Sequence, residues 1–387
     1  MPQTAPQAFH TLVIGGGVAG LATAWQLART GGERIALVER FRLGHTNGSS
    51  HGAGRITRTS YTDSVYMRLA LAAHAEEWPR LERDAGMKLI HACDGAFFGP
   101  AGSAFDSYVA AAAEVDAGVE LITVAEARRR FRLFRFPDAA GVLHDHTAGV
   151  VAAADTIRAL ARRCSVEGVF TLEDTRVLGI DPSQDPIVID TDRGRLLAEH
   201  LVITAGAWLP GLRAEFAPRL TVRRQSVGYF RLDAPAAAVQ PGAFPVWIHT
   251  GSPENSYGFY GLPEFGAAPG SGIKVGHHQT GGESQDPDAD AAASEQTLAH
   301  IEAFLGEQLA VKVLERVSHE TCLYTNTDDE DFILGPLPED ARIVIGSPCS
   351  GHGFKFAPLT GRILAELSRD GVTSVPAFEA ARARFAV

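Results

Sequence analysis

The stretch from Thr11 to Arg40, TLVIGGGVAGLATAWQLARTGGERIALVER, constrains the fold more than any other part of this chain. Thr11 to Ile14 is a short aliphatic and β-branched run, and Gly15, Gly17 and Gly20 then supply G-x-G-x-x-G where a strand gives way to a helix. Each glycine answers a steric demand: the first a tight turn, the second a close approach of backbone to a ligand, the third close packing of helix on strand. Leu21, Ala24, Trp25 and Ala28 follow at helical spacing, Gly31-Gly32 closes the helix, and Arg34 to Val38 reads as a second strand. The unit ends on Glu39, near the ~20-residue spacing at which a carboxylate takes the ribose of an unphosphorylated adenosine. It is therefore a candidate dinucleotide site with a pyrophosphate at the helix N-terminus. The other reading is a Gly-rich turn in an ordinary βαβ unit with Glu39 on the surface.

A chain of 387 residues is long enough for two domains, and 45% hydrophobic with 21% charged residues is ordinary globular composition. A net charge of −11 argues against a nucleic-acid partner, since phosphate binding needs a basic face. Any anionic ligand must then be met by locally placed cations. The N-terminal residues lack a basic start with a long apolar run, and no apolar stretch nears about 18 residues, so neither signal peptide nor membrane span is expected. That composition fits a cytoplasmic protein. Cys93, Cys164, Cys322 and Cys349 show no metal-binding spacing, and each alone reads as a small buried hydrophobe.

After Arg40 the segment His45 to Arg58, HTNGSSHGAGRITR, is too polar and glycine-rich for a regular element and reads as a ligand-lining loop. Asp63-Ser64 should cap a helix to about Ala85, bent or interrupted by Pro79. Strands and helices mix over 89–149, the helices at 105–117 and 124–131. Asp155 is expected to cap a helix through Cys164, with strands at 169–172, 176–180 and 186–190. Leu201 to Trp208 is a buried strand entering an Ala/Gly turn, a second place for close backbone approach. Further strands are expected at 219–232, 244–249, 257–262 and 273–278, and an amphipathic helix at 294–309. Lys274 sits mid-strand and, alone, reads as a solvent-facing lysine. Strand Ile343 to Gly346, the turn Ser350 to Phe356 and a closing helix at 359–367 again present backbone amides to a ligand.

Three segments carry a resemblance: HTNGSSHGAGRITR (His45 to Arg58), TCLYTNTDDEDFIL (Thr321 to Leu334) and SGHGFKFAP (Ser350 to Pro358). In this order the chain resembles, nearly end to end, the monomeric sarcosine oxidase and N-methyltryptophan oxidase group of flavin amine oxidases. The resemblance implies an α/β, two-domain fold, with a glutathione-reductase-like FAD-binding Rossmann domain and a mixed-sheet substrate domain. The expected partition gives 1–88, 150–215 and 320–387 to the FAD-binding domain, and 89–149 and 216–319 to the substrate-binding domain.

It further implies that Gly15, Gly17, Gly20, Glu39, Arg40, Ser49, Gly353 and Phe354 hold FAD, with a covalent bond from Cys322 to the flavin 8α-methyl. His51, Arg55 and Lys274 map onto the flavin face, Arg58 and Lys355 onto the substrate carboxylate, and Tyr260, His278, Tyr324 and Gly351 onto the pocket. Trp247 is placed near a position where sarcosine-specific members carry a smaller aliphatic, and Ala53-Gly54 where relatives are bulkier. The implied reaction oxidises a secondary amino acid, N-methyl or cyclic, by hydride transfer to FAD, giving an imine, with O2 reduced to H2O2 by a monomer needing no metal, nucleic acid or membrane. His278 would orient the substrate, and His277, facing the other way along its strand, reads as structural. A flavin dehydrogenase using another acceptor, or a flavin-binding protein without turnover, shares most of these residues. The second has no need of the Arg58 and Lys355 pair.

Overall fold

The computed structural model describes residues 7–252, 258–266, 270–278 and 285–387. Its first sheet grows from the glycine-rich unit. Strand β1 (Gln7–Ile14) runs parallel to β2 (Ile35–Val38) on one side and to Gly194–Ile203 on the other, and helix α1 (Val18–Ala28) makes the crossover. Strand Phe170–Leu172 extends the sheet beyond β2, an antiparallel pair at 177–181 and 187–191 extends the other edge, and Ile343–Ser347 lies parallel to the end of Gly194–Ile203. The central parts of the parallel strands, residues 11–14, 35–38, 201–203 and 343–347, are buried on both faces, which is why they read as largely aliphatic runs. Helix α1 lies so close to helix Ala357–Asp370 that a Cβ on Gly361 would stand 2.6 Å from the carbonyl carbon of Ala22.

The second large sheet runs, in order, 313–326, 221–232, 273–277, 259–264, 246–249, 95–99, 141–145 and 119–122. Cross-strand partners share a face, so its register sorts the side chains. Lys274 lies opposite Tyr229 and Leu262, Tyr260 opposite Gly276 and Ile248, and Cys322 opposite Gln225. These residues share the face turned to the first domain. The alternate residues Ile273, Val275 and Trp247 pack instead on helix Glu295–Gln308 through Leu298, Ile301 and Leu305. A separate three-stranded sheet of Gly54–Thr57, Gly149–Ala152 and Ile90–Ala92 packs against strand Phe259–Glu264 and carries Arg55.

Three expectations need correction. The helix after Asp63 is capped as expected, the Asp63 carboxylate accepting from the amides of Val65 and Tyr66, but its interruption precedes Pro79. A wide turn at Ala73–Glu77, in which the Trp78 amide reaches back to the Ala73 carbonyl, separates two helices, and Pro79 sits in the first turn of the second, where no N–H is needed. Asp155 is not a cap: helix Ala153–Val166 begins two residues earlier, leaving Asp155 in its first turn. The boundary expected at 320 falls inside strand Val313–Asn326, which pairs with Thr221–Leu232 through Asn326, so the second sheet itself carries Cys322 to the first domain. Tyr257, expected to open a strand, lies outside the described residues; the described strand is Phe259–Glu264.

Candidate active site

At the glycine-rich end, Gly15 has φ +103°, and a Cβ there would stand 2.5 Å from the Thr204 carbonyl oxygen. A Cβ on Gly20 would lie 1.8 Å from the Gly15 carbonyl oxygen, so helix and turn are closer than any side chain permits. The turn at Thr204 expected from sequence is thus packed on the glycine motif, and Thr204 donates from its hydroxyl to the Ile14 carbonyl at 2.9 Å. The Glu39 carboxylate accepts from the amides of Gly16 (2.6 Å) and Phe41 (2.8 Å), with His45 Nε2 at 3.5 Å. Burial pushes its pKa up, but His45 and the two amides outweigh burial and leave it below the usual range, so Glu39 is ionised and able to accept hydroxyls. Ser50 Oγ caps the helix by accepting from the Val18 amide at 3.0 Å. Arg40 is less free than expected: both Asp288 oxygens lie 2.9 Å from one of its nitrogens, and Trp208 Nε1 donates to the same carboxylate at 2.8 Å.

Midway along, the polar loop is fastened to the strand that carries Cys322. Ser49 Oγ donates to the Leu323 carbonyl at 2.5 Å, and His51 Nε2 lies 3.0 Å from the Thr321 carbonyl oxygen. Burial, then the charge of Arg55, lowers the His51 pKa. Arg55 spends its donors on the carbonyls of Gly54, Ser49 and His51, and its guanidinium stands 5.7 Å from the centre of the Phe354 ring. Lys274 is buried, not solvent-facing: its Nζ is 2.5 Å from Glu320 Oε1, which also accepts from the Tyr229 hydroxyl at 2.8 Å. Burial first, then Arg55, pulls the Lys274 pKa down while Glu320 opposes both. Burial raises the Cys322 thiol, against the pull of Arg55 and Lys274.

The far end gathers two buried cations. The Arg58 guanidinium lies 3.9 Å from the Tyr61 ring centre and 5.5 Å from that of Tyr108, and its buried Nη1 has no hydrogen-bond partner among the described residues. Lys355 Nζ donates to the Tyr61 hydroxyl (2.9 Å) and to the His352 carbonyl (2.7 Å). Burial, then Arg58, drives the Lys355 pKa well below its ordinary value. The nearby Asp145 is occupied by the amides of Thr59, Ser60 and Thr147. Beside the cations stand Tyr260, Tyr324 and His278, the last lowered to about 4 by burial and by Arg58 and Lys355. Two glycines make room for the rings: a Cβ on Gly276 would meet the Tyr260 hydroxyl at 2.6 Å, and one on Gly351 would meet the Tyr324 ring at 2.3 Å.

Trp247 is the site expectation the structure moves elsewhere. It is fully buried on the opposite face of the sheet, its ring stacked on Phe304 at 5.9 Å and lying against Gly261. Its neighbour Ile248 lines the cavity instead, because one residue along a strand reverses the face. His277 is structural as expected, buried and stacked on Phe259 at 4.1 Å. Sequence reasoning missed Ser50, Tyr61, Tyr108, Glu320 and His352. Glu320 lies two residues before Cys322, and strand alternation alone would have put both on one face.

Gly15, Glu39, Arg55, Lys274, Cys322 and Lys355 all open on one cavity of about 1170 Å³ that runs from the glycine motif past Cys322 to the Arg58 and Lys355 pair. That exceeds a pocket for one drug-sized ligand and suits a dinucleotide with a small second molecule beside it. The glycine cradle that a Cβ would fill, the ionised Glu39 and the loop tied beside Cys322 fit a flavin adenine dinucleotide. The comparisons agree. Residues 10–367 match the family described as FAD dependent oxidoreductase. The chain is 33% identical, over 94% of its length and 93% of the relative's, to a monomeric sarcosine oxidase of Bacillus sp. (strain B-0618). It is 29% identical, over 97% of its length and 100% of the relative's, to an N-methyl-L-tryptophan oxidase of Yersinia pestis (strain Pestoides F). Its fold matches that of NikD, an unusual amino acid oxidase essential for nikkomycin biosynthesis, with a TM-score of 0.81 at 26% identity over 95% of each chain. The cradle, the cavity and a match over nearly the whole length place this chain in the FAD-dependent oxidoreductase family.

Proposed function

We propose that the protein is an oxidase of secondary amino acids, N-methylated or cyclic, that releases hydrogen peroxide. The observation that carries this reading is the pair Arg58 and Lys355, two buried cations that, among the described residues, have no carboxylate partner, one with an unsatisfied Nη1. Burying like charges together is costly unless an anion joins them, and a substrate carboxylate is that anion. Arg58 supplies a planar fork and Lys355 a point charge.

A flavin held here would supply an acceptor for hydride from the carbon beside the substrate nitrogen and a donor of the electrons to O2. The residues set the conditions for this. The positive potential of Arg55, Arg58 and Lys355, within walls of Ile248, Leu262, Tyr260 and Tyr324, favours the neutral amine over the ammonium, and only the neutral amine has a lone pair to assist loss of hydride. His278, kept neutral by its depressed pKa, orients the substrate by hydrogen bonding without adding charge. Lys274 offers a fixed cation where negative charge develops during the reaction with O2. Cys322, which lines the cavity, would carry the covalent attachment, and Gly15, Gly17, Glu39, Ser49, Gly353 and Phe354, which line the same cavity, would hold the rest of the cofactor, with Gly20 packing the helix onto the glycine turn. No helix among the described residues is long and apolar enough to cross a membrane, and a cytoplasmic monomer suits this reading.

The test is turnover. A panel of N-methyl and cyclic secondary amino acids is assayed for O2 consumption and peroxide release. Peroxide in step with O2 uptake supports the oxidase; turnover only with an artificial acceptor makes the protein a dehydrogenase, and none with any acceptor leaves a binding protein.

A further inference from the structure

Lys274 is asked to be a cation in a place that disfavours one. It is buried in mid-strand, with Arg55 among the charges that act on it. Arginine would hold its charge there without help, and the chain favours arginine: only Lys88, Lys274, Lys312 and Lys355 are lysines, against 35 lysines and arginines together. A lysine at this position needs a partner. Three neighbouring strands provide one, since Val313–Asn326, Thr221–Leu232 and Ile273–His277 bring Glu320, Tyr229 and Lys274 onto one face. Both the ammonium, at 2.5 Å, and the Tyr229 hydroxyl, at 2.8 Å, converge on Glu320 Oε1.

We propose that Glu320 is a positioning residue, braced by Tyr229, that keeps Lys274 charged and fixed for the reaction with O2. The proposal rests on reading the site as that of a flavin oxidase, but the hold of Glu320 on Lys274 can be measured without turnover. The groups facing Lys274 are Arg55 from its own short strand, His51 from the polar loop, Tyr229 from the neighbouring strand, and Glu320 and Cys322 from the strand beyond. Of these, Glu320 is the one carboxylate. Burial and Arg55 pull Lys274 towards the neutral amine, and Glu320, itself held ionised by Lys274 and Tyr229 against burial, opposes them. Removing the carboxylate lowers the pKa of Lys274, so the ammonium, fully present below that pKa, is lost at lower pH than in the wild type.

Four lysines make this directly visible by NMR of lysine side-chain carbons in the isotope-labelled holoenzyme, with Lys274→Met assigning the signal. In Glu320→Gln the Lys274 titration midpoint should fall by about one unit or more, a tenfold change in the proton equilibrium. The pH at which flavin reoxidation by O2 slows should fall with it, while reduction by substrate keeps its pH profile. Glu320→Asp, which keeps the charge on a shorter stem, should fall between and guards against a Gln variant that does not fold. An unchanged midpoint, or a reoxidation profile that does not follow the midpoint, overturns the proposal. If the midpoint moves while the wild type fails to react with O2, the oxidase reading falls and the hold of Glu320 on Lys274 stands.

Discussion

Arg58 and Lys355, from opposite ends of the chain, meet on one ring, with the guanidinium 3.9 Å and the ammonium 5.4 Å from the centre of Tyr61. Arg58 leaves the short sheet that follows the polar loop, and Lys355 the turn before the last long helix. Tyr61 separates the two like charges and offers each a π-face or a hydroxyl, which lowers the cost of holding them together until an anion arrives. Arg58→Ala removes a charge-assisted contact worth roughly 1.5–3 kcal/mol, or on the order of ten- to more than a hundred-fold in substrate binding. Flavin content should not change. The methyl ester of a good substrate should bind the wild type poorly, and an ester oxidised as well as the acid would show that the pair serves something other than a carboxylate.

Lys355 also predicts how binding depends on pH. Burial and Arg58 depress its pKa in the free protein, and a bound carboxylate raises it again. The bound form has the higher pKa, so carboxylate affinity is full below the free-protein pKa and falls by up to about tenfold per pH unit as pH rises from there towards the bound value. Propionate, which has no amine to titrate, is the probe, followed by the change in flavin absorbance. The slope should disappear in Lys355→Met; a slope that survives belongs to another group.

The proposed thioether at Cys322 is tested by acid precipitation. The purified protein should be yellow and should stay so in the pellet after acid precipitation, because a thioether outlasts the fold. Cys322→Ala should release the colour to the supernatant. A wild-type supernatant that turns yellow would falsify the covalent assignment.

Lys274→Met should slow reoxidation of the flavin by O2 far more than its reduction by substrate, since the proposed carboxylate site, Arg58 and Lys355, lies elsewhere in the cavity. Rapid mixing of the two half-reactions separates the effects. Equal losses in both would remove the special role with O2.

Trp247 and Ile248 provide a contrast within one strand. Trp247→Ala should cost about 3–5 kcal/mol of stability, as truncation of a large buried ring does, with little change in KM once the protein is folded. Ile248→Ala should leave most of the stability intact and change KM or the preferred substrate size. Denaturant melts beside a substrate panel distinguish them, and the reverse pattern would return Trp247 to the pocket.

The sequence alone determined the parts whose physics is local. Gly15, Gly17 and Gly20 mark a close backbone approach at a strand-to-helix turn, Glu39 stands near the spacing typical of a ribose-binding carboxylate, and the aliphatic run Leu201 to Ile203 reads as a buried strand. Family resemblance added Arg58, Lys355, Lys274, Cys322 and the two tyrosines of the pocket, and the structure gathers them in one cavity. Tertiary structure alone decided what depends on register and on partners distant in the chain. The resemblance puts Trp247 rather than Ile248 at the pocket, yet a shift of one residue in a strand exchanges core for cavity. Lys274 looked free because its counter-charge, Glu320, lies two strands away, beyond Tyr229. Strand pairing is set by hydrogen bonds between segments that sequence keeps far apart, and it makes a buried ion pair of two residues that, read along the chain, are an ordinary lysine and an ordinary glutamate.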